Sequence, residues 1–384
     1  MKIAIVMPRG SRFCPDNPNS IETVVRTLLG SSQYRRSTTI ICDEGAAHAG
    51  PATVITVPEG LRRSPRNLAV EAILRAIRPD QIEYHQHLKS AADIAKRFRD
   101  TPQVFYRHTR VKAPRHLIEG LRYRRRLRQF EQLVFVSQAA RSEFLIDYPT
   151  FAAKAAAVCN PVDASSWSAD PTAKEKLIVF AGRPTAEKGF DLFCTALIDV
   201  LEQAPDWQAS LMLGEWEKHA EWAAPWLTGL ARFGDRVQVV RSARLAQVQV
   251  VTRRAAIAVT PSRVAEALGL SALEAHAAGA AVVSSGRGGL KEASGPYAVY
   301  VEPIEARGLA QAIDSLIRDD DRRVAIARAG QAYVIAMHSP ACRASQLDLL
   351  RAQLVAPAPA MFGVPAFAQN HAVGLDALRT SLPL

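Results

Sequence analysis

The chain has 384 residues, 48% hydrophobic and 22% charged, a composition that excludes disordered, collagen-like and disulfide-scaffold classes and leaves room for about two domains. Its five cysteines (Cys14, Cys42, Cys159, Cys194, Cys342) are odd in number, scattered and without a CxxC pair, which fits a reduced compartment and argues against structural zinc. The net charge of +11 is unevenly spread: residues 1–165 hold 26 Lys+Arg against 15 Asp+Glu, and residues 166–384 hold 22 of each. The basic first half therefore suits phosphate groups, an anionic membrane face or nucleic acid.

In chain order, the first apolar run, Lys2 to Met7, is too short and too soon followed by Arg9 and Arg12 to be a signal peptide, and no segment approaches the ~18 apolar residues of a membrane span. A cytoplasmic location is the expectation. The runs KIAIVM, TTIIC, ATVITV, QVFYR and QLVFV alternate with helix-like stretches such as IETVVRTLL and AADIAKRF, the rhythm of a parallel sheet covered by helices. Between Arg107 and Arg128 lie nine basic residues and one acid, Glu119. In the helix-like part after Pro114, Leu117, Ile118 and Leu121 form a short apolar stripe beside Arg122, Arg124, Arg125, Arg126 and Arg128, which suits shallow adsorption to anionic lipid; a solvated Arg-rich helix is the alternative.

The rhythm pauses at the Pro/Ser/Asp-rich segment Asn160–Asp170 and restarts with LIVFAG, ASLMLG, VQVV, AAIAVT, AAVVSS and YAVYV. This predicts an α/β protein of two Rossmann-like domains, residues 1–165 and 166–339, with parallel sheets facing a cleft. Helices are expected at 305–318, 320–335 and about 340–354, the last with an Ala/Pro-rich tail to 384 that packs back on the first domain.

After the run ending at Ala181 comes GRPTAEKGFD, where Gly182 is expected to let the chain turn while Arg183 and Lys188 project as two fixed cations suited to a diphosphate. About eighty residues on, Gly269 and Leu270 open an Ala-rich helix closing at Gly279, whose first amides can bind phosphate. Glu266 precedes that helix and Glu274 lies about two turns deeper, so that one carboxylate can reach a sugar ring and the other a ribose diol. Each feature alone has a plain surface reading, and it is their combination that carries the argument.

Together these segments resemble glycosyltransferase family four, whose second domain carries G-R-x4-K-G-x-D and E-x-F/L-G-L-x-x-L-E. Here they read Gly182-Arg183, Lys188-Gly189, Asp191 and Glu266-Ala-Leu-Gly-Leu-Ser-Ala-Leu-Glu274. The resemblance implies a GT-B architecture and retaining transfer from a nucleotide diphosphate sugar, UDP- or GDP-linked, with no other cofactor and no metal. It gives Arg183, Lys188, Gly269 and Leu270 to the donor diphosphate, Glu274 to the ribose, and Glu266 with His108 to the transferred sugar, and it supplies no side-chain nucleophile. Asn19-Ser20 replaces the family's Gly-Gly before the first helix, and Pro161 replaces the Gly of N-G-V-D. The implied acceptor is a membrane-associated glycan or glycolipid, as in lipopolysaccharide-core or other cell-surface polysaccharide synthesis, reached from the inner face of the cytoplasmic membrane by a peripheral protein that binds no nucleic acid. A nucleotide-sugar epimerase or hydrolase is the rival within the fold, and a basic nucleic-acid-binding protein the rival outside it.

Three further signals are set aside. His85 and His87 read as neighbours on one strand face but lack a third metal ligand. Asp319-Asp320-Asp321 starts a helix, where acids complement the dipole. The segment GRGGLK (286–291) lacks the third glycine of a dinucleotide fingerprint.

Overall fold

The computed structural model describes residues 1–14, 19–45, 52–111 and 113–355. Parts of the loop before the first helix, Lys112 and the tail from residue 356, with its expected packing on the first domain, lie outside the described residues.

The first half forms a seven-stranded sheet from β1 (Ile3–Val6), β2 (Thr38–Asp43), β3 (Thr53–Val57), β4 (Gln81–His85), β5 (Gln103–Arg107), β6 (Gln132–Phe135) and β7 (Ala155–Ala157). The second forms a six-stranded sheet from β8 (Glu175–Gly182), β9 (Gln208–Leu213), β10 (Val237–Arg241), β11 (Ala255–Thr260), β12 (Ala281–Ser284) and β13 (Ala298–Tyr300). The orders are β3-β2-β1-β4-β5-β6-β7 and β10-β9-β8-β11-β12-β13, and every pairing is parallel. Inner strands such as Ile3–Val6 and Ala255–Thr260 are buried at every position, as strands covered on both faces must be.

The first-half helices are α1 (Ser20–Ser31), α2 (Arg63–Ile77), α3 (Leu88–Ala95), α4 (Leu117–Leu127) and α5 (Gln138–Asp147). Then follow α6 (Ala164–Trp167), α7 (Phe190–Gln203), α8 (Trp216–Thr228), α9 (Leu245–Arg254), α10 (Leu270–Ala277), α11 (Leu290–Ser294), α12 (Ala306–Arg318), α13 (Asp320–Met337) and α14 (Pro340–Val355). Asn160–Asp170 is more than a bare connection, because α6 sits inside it with Trp167 buried. Asp319 caps α13 by accepting from the Arg322 amide at 2.9 Å.

The last helix returns to the first half. Arg351 of α14 makes a bidentate pair with Glu83 at 2.7 and 2.8 Å and a further bond to Asp348 at 2.9 Å, all buried. Asp348 in turn accepts from Ser32 Oγ and the Gln33 amide, both at 2.8 Å. A buried charge survives only with its partners in place, so this network fixes where α14 docks. One apolar cluster runs across the two halves, joining Val24, Tyr106 and Val134 to Leu268, Leu273 and Leu347, and places the carboxyl ends of the two sheets around one cleft.

Candidate active site

In both sheets the strand order reverses beside the first strand of the half, at β1/β4 and at β8/β11, and open parallel sheets bind ligands at that reversal beyond the strand carboxyl ends. The cleft between the halves has a volume of about 1580 Å³, above the roughly 300–1,000 Å³ of single small-ligand pockets. The loops after β8 and β11 form one wall, contributing Gly182, Arg183, Glu187, Lys188 and Val264 through Ser271. His108, Arg110, Tyr123 and Arg126 stand on the other, with Asn19 and Ser20 at the start of α1.

The loop after β8 turns at a different glycine from the one anticipated. Gly182 closes β8 in ordinary backbone, whereas Gly189 adopts φ 68°, and a Cβ there would lie 2.0 Å from the Pro261 carbonyl oxygen. Only glycine permits both the left-handed conformation and that approach. Bidentate Arg263–Asp191 bonds at 2.5 and 2.6 Å further tie the β8 and β11 loops together.

Arg183 is exposed on the cleft wall. Lys188 is half-buried and its Nζ lies 2.6 Å from Glu266 Oε1, which also accepts from Ser262 Oγ at 2.5 Å. The two residues singled out separately in the sequence are thus one ion pair. Gly269 enters α10 with φ 107°, and among the described residues the Leu270 and Ser271 amides meet no backbone acceptor, leaving them open to an anion. Glu274 does not line the cleft wall. It lies half-buried one turn further along α10, without a hydrogen-bond partner among the described residues, and burial raises its carboxyl to about 7.

On the opposite wall His108 follows β5. Its Nε2 lies 2.7 Å from His85 Nδ1, and burial first, then His85 and Arg107, hold its ring well below the usual histidine range. The expected His85–His87 strand face does not form: β4 ends at His85, Gln86 turns in the left-handed region at φ 69°, and His87 sits at the start of α3. Asn19, in place of a glycine, caps α1 by accepting from the Ile21 and Glu22 amides at 3.0 Å each, so its own side chain takes up amides that an anion would otherwise meet. In the loop after β10, Arg241 lies over Trp216 at 5.0 Å and Ser242 donates to Glu217 at 2.6 and 2.8 Å.

Several residues without a sequence signature shape the site. Arg110, held by Glu143, donates to the Ala265 carbonyl at 3.3 Å, and Ser137 donates to the Ala267 carbonyl at 2.5 Å. The first half therefore grips the backbone on both sides of Glu266. Glu292 of α11 reaches the other way and accepts from the Gln138 and Ala139 amides at 2.7 and 2.5 Å, at the start of α5. On α4, Arg126 lines the cleft while Arg122, Arg124, Arg125 and Arg128 are exposed beside Leu117, Ile118 and Leu121, which are 87%, 58% and 65% exposed.

Comparisons with known proteins agree with this geometry. HepE of Anabaena in complex with UDP-glucose superposes with a TM-score of 0.76 at 17% identity, over 92% of this chain and 100% of that one. Sucrose-phosphate synthase of Thermosynechococcus elongatus gives 0.74 at 19%, over 92% and 99%; both share the GT-B fold. In sequence, the D-inositol 3-phosphate glycosyltransferase of Corynebacterium aurimucosum is 31% identical over 177 residues, 45% of this chain and 42% of that protein. The lipopolysaccharide core biosynthesis mannosyltransferase LpcC of Rhizobium leguminosarum is 30% identical over 146 residues, 38% and 41%. The chain thus spans less than half the length of these two curated relatives. Residues 20–166 match the family described as Glycosyltransferase Family 4 and residues 175–319 the family described as Glycosyl transferases group 1; the chain thus carries a domain of each, in the GT-B fold.

Proposed function

We propose that the chain transfers a sugar, with retention of anomeric configuration, from a nucleoside diphosphate sugar to a glycan or glycolipid acceptor presented at the inner face of the cytoplasmic membrane, in the synthesis of lipopolysaccharide or another cell-surface polysaccharide. The observation that carries this reading is one cleft with unlike walls: Arg183, Lys188 and the open α10 amides on one side, His108 and a basic surface on the other. Breaking a sugar–phosphate bond places negative charge on the leaving diphosphate, and fixed cations and amides aimed at that charge lower the barrier. Glu266 and His108 border the space where the sugar ring would lie, and Glu274 has the chemistry to accept from ribose hydroxyls. With no side chain serving as nucleophile, the acceptor hydroxyl attacks from the leaving-group face and the departing phosphate takes its proton.

The UDP and UDP-glucose bound by HepE and the partial match to LpcC support a nucleotide-sugar donor and a lipopolysaccharide-type acceptor. The exposed Leu117, Ile118 and Leu121 beside the α4 arginines support a membrane-side acceptor, because an apolar stripe flanked by cations adsorbs to anionic headgroups. No described helix is long and apolar enough to cross a membrane.

The test is a panel of UDP- and GDP-sugars read by acceptor-dependent nucleotide release, repeated with EDTA; turnover that needs no acceptor makes the chain a hydrolase, and loss that manganese restores removes the metal-free reading. Replacing Arg124, Arg125 and Arg126 by Gln is expected to reduce cosedimentation with anionic vesicles and turnover on a lipid acceptor, each cation being worth about 1 kcal/mol at such a surface. Unchanged results in both assays transfer the assignment to a soluble acceptor.

A further inference from the structure

Behind His108 stands a second histidine to which the proposed chemistry gives no role. β4 and β5 are neighbouring parallel strands in which His85 pairs with Tyr106, so the chain just beyond β5 passes the end of β4. The His85 and His108 rings both stack on Tyr106, with centroids 5.1 and 4.8 Å away, and touch through His85 Nδ1 and His108 Nε2 at 2.7 Å. The backbone is held as well: the His108 amide donates to Gln86 Oε1 at 3.1 Å, from a residue already turned into the left-handed region. His85 is 4% exposed and does not reach the cleft. Its Nε2 is buried with no partner among the described residues.

Both rings are neutral at ordinary pH. Burial, then the positive charge of Arg351, pushes His85 down to about 3, and His108 is held low for similar reasons. Two neutral imidazoles meeting nitrogen to nitrogen place one proton between them, which leaves two arrangements. If His108 donated, His85 would carry its proton on Nε2 and bury an N–H without an acceptor. If His85 donates, the buried Nε2 is an unprotonated nitrogen, and His108 must carry its proton on Nδ1. An orphaned buried N–H is the rarer defect, and this selects the second arrangement.

We propose that His85 is a positioning residue: by donating its Nδ1–H to His108 Nε2 it fixes His108 as the Nδ1–H tautomer, so that His108 presents a hydrogen-bond donor and no base to an oxygen in the cleft. The oxygen would be a hydroxyl of the donor sugar, a point that rests on the proposed transfer. The arrangement follows the logic of second-layer partners that fix the tautomer of ligating histidines.

The test uses the full chain labelled with ¹⁵N at histidine and a long-range ¹H–¹⁵N spectrum, with His108→Gln identifying the His108 signals among nine histidines. The expected result is an Nδ1–H tautomer at His108. It is lost in His85→Phe, which keeps a flat ring and removes the donor, and kept in His85→Asn, whose amide N–H lies near the imidazole Nδ1 position. Alongside, kcat/KM for the nucleotide sugar falls about ten-fold in His85→Phe, recovers in His85→Asn, and leaves the affinity for free nucleoside diphosphate unchanged. An Nε2–H tautomer in the wild type, or an unchanged tautomer in His85→Phe, overturns the inference. Should His85→Phe fail to fold, the wild-type and His85→Asn spectra decide. The expected tautomers without turnover of any nucleotide sugar would leave His85 in its positioning role and remove the transfer reading.

Discussion

Glu266→Gln should tighten the binding of free nucleoside diphosphate while it slows sugar transfer. The reasoning begins with the ion pair: Lys188 Nζ and Glu266 Oε1 are 2.6 Å apart, and their side chains are 27% and 16% exposed. At an effective dielectric near 20, two unit charges about 4 Å apart attract by about 4 kcal/mol. Partial hydration of both groups and the cost of having desolvated them reduce the net value to roughly a third of that, about 1.4 kcal/mol, or ten-fold in affinity. A diphosphate that recruits Lys188 must compete with Glu266 for it, and must also approach the carboxylate charge. Glutamine keeps the shape and the Ser262 contact, removes the charge and frees the lysine. Titration calorimetry with UDP and GDP in low salt should therefore show about ten-fold tighter binding, diminishing as salt rises, together with a lower kcat on the sugar donor. Lys188→Met in the same background should abolish the gain, since the effect is a coupling between the two residues. Unchanged or weaker diphosphate binding in Glu266→Gln would refute the competition and take Lys188 off the diphosphate path.

Arg183→Ala should weaken donor sugar and free diphosphate alike by about 1.5–3 kcal/mol, with nucleoside binding little changed, because the exposed guanidinium offers a charge-assisted contact to phosphate and none to the base; calorimetry with the three ligands checks the pattern. Gly189→Ala should destabilise the protein by more than about 2 kcal/mol, since its Cβ would meet the Pro261 carbonyl oxygen in a left-handed conformation; an unchanged melting temperature would mean that the two loops separate freely. Glu274 should make stability fall as pH rises. Its folded carboxyl sits near 7 against 4.5 ordinarily, so the favourable protonated form is present below 4.5 and lost as pH climbs through 7, and Glu274→Gln should exceed the wild type at pH 8 by at most about 3 kcal/mol and match it at pH 4. Donor binding through the ionised carboxylate should strengthen over the same window in the wild type and lose that dependence in Glu274→Gln.

What could be read from the sequence divides along a physical line. The alternation of apolar runs and helix patterns predicts both parallel sheets, because strands buried on both faces leave an uninterrupted apolar signature, as in IAIV and AAIAVT. The Arg183–Lys188 and Glu266–Glu274 segments were legible because each loop and the helix start it feeds are contiguous in the chain. Which glycine carries the turn was not, since φ at Gly189 is set by the approach of Pro261, more than seventy residues away. The His85–His87 strand face failed for a local reason, the left-handed Gln86 that ends β4 two residues early. The ion pair between Lys188 and Glu266 joins two residues that the motifs name individually without relating them. Least visible were the bonds between the halves, where Arg110 and Ser137 meet the carbonyls of Ala265 and Ala267 and Glu292 meets the amides of α5. Their partners are main-chain groups, which every residue carries, so no pairing of side-chain types marks them. Yet they hold the backbone on either side of Glu266 from the opposite half of the molecule, so a carboxylate that looks like the property of one short motif owes its position to both domains at once.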